Sequence, residues 1–141
     1  MISFIETNRK ESIRKDEFHI LVPSVVGKED LLSKLAEMLH FPYFGYNWDA
    51  LIDLLCDFYW NDTKKIIIEH SDISRLPIPD LKTYIEIAII VCKFWEEYEN
   101  HDVHFLFPAS EYEIIRNFVS RDISFGDCSS LICPESSLYK D

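Results

Sequence analysis

The chain is predicted to be an α/β domain: a small three-stranded parallel sheet packed with helices, followed by a C-terminal helix and a tail. Segments with apolar residues at helical spacing alternate with short apolar runs rich in Ile, Val and Phe. Strands separated by helices need crossover connections, and crossovers make neighbouring strands parallel. With 141 residues, 48% hydrophobic and 14% aromatic, the chain can bury one real core, and disorder is not expected for most of it.

The elements follow in order from periodicity and punctuation. Residues 18–22 form a short apolar run closed by Pro23, the first predicted strand. Residues 29–39 place Leu31, Leu32, Leu35, Met38 and Leu39 on one helical face. A second helix is predicted over 47–60 and a second strand over 64–69. A loop carrying Pro77 and Pro79 then leads into a long helix, 80–98. The third strand, 103–107, ends at Pro108. Ser110 can cap a last helix over 111–119, with Glu113 in the third position of a capping box. The domain is thus expected over 18–119, between an N-terminal extension, 1–17, and a C-terminal tail, 120–141, whose pattern fades into Ser, Asp and Gly.

Charge narrows the choice of partner. The formal net charge is -11, from 25 acidic and 14 basic residues. Phosphate contacts demand a basic face, so nucleic-acid binding is not expected. A basic protein partner fits, and the field would speed its arrival, although acidity also serves solubility alone. Residues 1–17 hold too many charges for a signal peptide, and the apolar run 85–92 is interrupted by Glu86 and too short to span a bilayer. A cytoplasmic protein without a membrane segment is expected. Cys56, Cys92, Cys128 and Cys133 show neither CxxC pairing nor metal-site spacing. Cys56 and Cys92 read as small hydrophobes, and the spacing does not decide whether Cys128 and Cys133 pair.

The most informative stretch is 41–60, FPYFGYNWDALIDLLCDFYW. Turning about 100° per residue gathers Leu51, Leu54, Leu55 and Phe58 in one arc, with Trp48, Ile52 and Tyr59 on its flank. Asp49, Asp53 and Asp57 fall on the opposite side, four residues apart. Like charges at that spacing cost a helix a few tenths of a kcal/mol per pair, so the arrangement is hard to explain by folding alone. Asn47 supplies an N-cap oxygen, and Gly45 suits a sharp turn ahead of it. Asp49, in the first turn, also complements the helix dipole, which is an ordinary structural role. Asp53 lies too far along the helix for that role, and the competing reading is a plain solvated face.

The run Pro42-Tyr43-Phe44-Gly45-Tyr46-Asn47-Trp48-Asp49-Ala50-Leu51-Ile52-Asp53 resembles the central segment of the barstar family of ribonuclease inhibitors. The shared pattern is a proline, two aromatics, Gly-x-Asn, an apolar residue, then Asp-Ala-Leu-x-Asp. KKIIIEH at 64–70 and DVHFLF at 102–107 match the flanking strands, so the resemblance covers roughly 18–108. It implies an inhibitor that plugs the basic active site of a secreted microbial ribonuclease, one-to-one, and that is a monomer when free. A carboxylate would sit where the RNA phosphate sits. On this reading Asp53 matches the central acid and Asp49 the acid one turn earlier. Tyr43, Gly45, Asn47 and Trp48 match the loop and cap positions around them. Asp57 is added from the helix geometry.

The chain also departs from the family pattern. Ile52 stands in place of a tryptophan, Asp57 of a glycine and Phe58 of a tryptophan, and the loop between Pro42 and Gly45 is one residue shorter. Trp95 occupies the position of a second acidic contact, with Glu96, Glu97 and Glu99 beside it. Related folds also serve as immunity proteins in toxin–antitoxin systems, so an immunity protein for a different nuclease toxin is an alternative. A general acidic protein-interaction domain is another: Tyr43, Phe44, Tyr46 and Trp48 would serve any interface, and two of the four are expected to be buried.

An enzyme is not expected. Asp49 and Asp57 would lie about 12 Å apart along a helix, too far to share a metal at bond lengths of about 2.0–2.6 Å. His19, His40, His70, His101 and His104 form no HExxH-like motif, and no GxSxG elbow or phosphate loop is present. His70 and His104, at or near strand ends, read as satisfied structural histidines. No metal or cofactor is expected.

Overall fold

A computed structural model describes residues 1–5 and 16–121. Cys128 and Cys133, and most of the predicted tail, lie outside the described residues. The elements run β1 (Ile2–Ile5), β2 (Glu17–Val22), α1 (Lys28–Leu39), α2 (Trp48–Leu55), β3 (Lys65–His70), α3 (Ile78–Glu97), β4 (Asp102–Pro108), a 3-10 turn (Ala109–Glu111) and α4 (Tyr112–Arg121). The fold is α/β with a parallel sheet, as expected, but the sheet has four strands, in the order β1-β4-β3-β2. The unpredicted strand is β1, only four residues long, in a stretch dominated by charges farther on. Four residues give too little alternation to be seen, and β1 exists because β4 offers it an edge.

The register aligns Ile20, Ile68, Phe105 and Ile2 in one row across the sheet, all buried. β2, β3 and β4 advance in one direction across the sheet. Right-handed crossovers therefore place their connecting helices on one face. Leu31, Leu32 and Leu35 of α1, Leu51 and Leu55 of α2, Tyr84 and Ile85 of α3, and Ile115 and Phe118 of α4 share a single core there. On the other face Ile5, Ile67 and Leu106 make a second small cluster, to which no helix contributes among the described residues. His19 and Glu69, 2.8 Å apart, and Lys65 and Glu17, 3.4 Å apart, flank it.

Among the described residues two polar side chains are buried, His70 and Glu111, and His70 is the more deeply enclosed. Its Nδ1–H donates to Leu106 O at 2.8 Å, its Nε2 pairs with the Tyr84 hydroxyl at 2.6 Å, and its ring stacks on Phe107 at 4.5 Å. It is a satisfied structural histidine, and burial holds its pKa down at about 4.

Helix boundaries moved for identifiable reasons. α3 starts at Ile78 because Pro79 fits a first turn, where its missing N–H has no partner to lose. Ser110 lies inside the 3-10 turn and does not cap α4, which starts at Tyr112. α2 stops at Leu55 rather than running on to residue 60. Trp95 Nε1 takes Leu55 O at 2.8 Å, the carbonyl that a continuing helix would give to the N–H of Tyr59. Asp57 N and Phe58 N both turn back to Leu54 O, and Phe58 takes a left-handed φ of 51°. The indole of Trp60 does the same for α1, donating to Leu39 O at 3.0 Å. No helix among the described residues is long and apolar enough to cross a membrane.

Candidate functional site: the acidic face of α2

α2 is built to show one side to solvent. Leu51, Leu54 and Leu55 enter the core, Ile52 packs against its edge, and Asp49 and Asp53 stand exposed. The two acids lie one turn apart, about 6 Å along the axis. Among the described residues no hydrogen bond or ion pair to either is found. Their charge is therefore left to water or to a partner.

The start of the helix is fixed by Asn47, whose Oδ1 accepts from Ala50 N at 2.8 Å while its Nδ2 donates to Gly45 O at 3.2 Å. Gly45 does not take a left-handed φ; that conformation falls on the next residue, Tyr46, at φ 54°. A Cβ at Gly45 would lie 3.0 Å from Asn47 Nδ2, so a side chain there would press on the capping amide.

The aromatics divide in pairs. Tyr43 and Tyr46 are 66% and 58% exposed. Phe44 and Trp48 are half-buried rather than enclosed. Phe44 meets Phe41 at 5.1 Å, and Trp48 stacks toward Tyr84 at 6.4 Å with Lys28 Nζ 5.4 Å from its ring centre. Trp48 thus braces α2 against α3, while Tyr43 stays exposed in the loop ahead of α2.

Asp57 is exposed but does not belong to the helical row, because the helix ends two residues before it. It sits in the turn held by Phe58, which is buried against Trp60 and Trp95 at 5.3 and 6.4 Å. Cys56, between Asp53 and Asp57, has its thiol pushed up to about 11 by burial and then by the Asp53 charge, so it is not poised as a nucleophile. The helix expected over 47–60 ends at Leu55, and a loop follows it. Its signal was the Trp95 indole, which reaches Leu55 across 40 residues of sequence.

Among the described residues no group of three or more His, Cys, Asp or Glu side chains is placed to share a metal ion. A comparison with curated proteins found no match, and neither did one with solved structures. Of the protein-family models, that described as Barstar (barnase inhibitor) matches residues 16–107, from the start of β2 to near the end of β4 and including all of α2. The chain therefore belongs to the barstar family of barnase inhibitors.

Proposed function

We propose that the chain inhibits a microbial ribonuclease as the immunity protein of a nuclease toxin, by docking the acidic face of α2 in the enzyme's basic active site. Its family is one of ribonuclease inhibitors rather than enzymes. The observation that carries the reading is the pair Asp49 and Asp53, exposed and without a cation among the described residues. A carboxylate placed among clustered Arg, Lys and His side chains makes charge-assisted hydrogen bonds like those of the substrate phosphate. Asp53 fills the phosphate site, Asp49 pairs with a neighbouring cation, and Tyr43 covers the contact with Asn47, Gly45 and Trp48 holding the frame. The net charge of -11 steers a basic enzyme in, so the association rate falls as salt rises.

The test is titration of the protein into a barnase-type ribonuclease assay beside Asp53→Ala, with circular dichroism checking both folds. Stoichiometric inhibition by the parent is expected. The variant should lose about 2–5 kcal/mol, a range drawn from charge pairs in such interfaces, barnase–barstar among them, rather than worked from this structure. Inhibition and folding both untouched in the variant would overturn the role of Asp53. Ile52, Asp57 and Trp95, where the family has other residues, favour a second reading: a nuclease toxin other than barnase. Inhibition of such a nuclease with none of barnase would establish it.

A further inference from the structure

The loop after α2 and the C-terminal end of α3 enclose an open cavity of ≈ 520 Å³. Phe58 and Trp95, both buried, form its floor. The floor is fixed: besides the Trp95 bond to Leu55 O, His101 Nδ1–H donates to Thr63 O at 2.8 Å, and the Trp95 and His101 rings meet edge to face at 4.8 Å. The walls are aromatic as well. Phe94 and Tyr98 lie 4.7 Å apart, and Tyr59 and Tyr98 are 60% and 51% exposed. Asp57 and Asp62, both exposed, stand in the lining, and no Lys or Arg does. Among the described residues no ion pair to either acid is found. The Lys64 ammonium is not in the lining; it donates to Glu99 O, between the lining residues Tyr98 and Asn100.

Aromatic faces with unpaired carboxylates beside them suit a planar, weakly hydrated cation. A guanidinium stacks on a ring while giving its N–H fork to carboxylates. An anion would be repelled by both acids, and an apolar group would leave them unused. We propose that this cavity is a second docking point for the basic partner, seating one of its arginine side chains against Tyr59 and Tyr98 with the guanidinium at Asp57 and Asp62. It rests on the proposed inhibitor function only for where the arginine comes from. Cys56 lines the cavity and its thiol feels the charge of Asp53, so the cavity and the α2 acids lie on adjoining surface. The early end of α2 is what makes this site. A helix continued through Phe58 would have kept Asp57 in the row of Asp49 and Asp53.

The test needs no nuclease, so its result is separate from that of the inhibition assay. The probes are N-acetyl-arginine methylamide and its uncharged isostere, N-acetyl-citrulline methylamide, titrated into the full chain and followed by NMR. The arginine probe should shift the Trp95 indole and the amides of 57–62 and 94–101, and the citrulline probe should not. Asp57→Asn combined with Asp62→Asn should weaken arginine binding about five- to tenfold. Tyr98→Leu, which keeps bulk but removes the ring, should weaken it as well. Absence of shifts, equal shifts with citrulline, or shifts centred on Asp49 and Asp53 would each overturn the proposal.

Discussion

His70 makes the stability of this domain depend on pH in a way that can be worked through. The neutral ring is held on both nitrogens, by Leu106 O and the Tyr84 hydroxyl, inside a layer of apolar side chains. A proton on the second nitrogen would bury a charge, so the pKa falls from 6.5 to about 4. In the unfolded chain the imidazole titrates normally. Between those values the unfolded state binds a proton that the folded state refuses, so stability is full above about pH 6.5 and falls as pH is lowered through the window. Each pH unit is worth about 1.4 kcal/mol, which makes the loss about 3 kcal/mol by pH 4. That is a large share of a typical domain stability of about 5–15 kcal/mol. The assay is urea unfolding at several values from about pH 7 to about pH 4, for the parent and for His70→Gln, which carries no charge at either end. Acids with lowered pKa values, such as Asp72 and Asp102, contribute equally to both proteins and cancel in the comparison. The parent should lose about 3 kcal/mol more than the variant across the window. Parallel profiles would refute the argument.

Three further outcomes are expected. Asn47→Ala should lower stability by about 1 kcal/mol through loss of the cap to Ala50 N, with Asn47→Asp retaining it; equal stability of all three in urea would show that the cap is not needed. Tyr46→Asn should raise the melting temperature, gaining about 1 kcal/mol, because Tyr46 is exposed and left-handed at φ 54° and Asn tolerates that conformation; a fall would mean that its contact with Phe44 at 4.9 Å outweighs the strain. Asp53→Asn should leave stability unchanged or raise it by about 0.2–0.5 kcal/mol, since it removes a like charge one turn from Asp49. A marked loss in the same unfolding assay would make Asp53 a structural residue.

The sequence by itself determined the class of fold, the order of its helices and three of its strands, and the exposed acids of α2. These are properties of spacing. Leu51, Leu54 and Leu55 mark a face whatever they pack against, and Asp49 and Asp53 are then left to the other side. Asn47 as a cap was legible for the same reason, since the side chain meets a backbone group only three residues away. Tertiary structure decided what depends on distant partners. β1 is too short to declare itself and forms because the edge of β4 receives it. The left-handed residue of the turn before α2 is Tyr46, not Gly45, which the local sequence does not reveal. The end of α2 was set by an indole from α3, which takes the carbonyl the next turn would have used. That single hydrogen bond moves Asp57 out of the helical row and into the lining of the cavity, and no periodicity within 41–60 could have shown it.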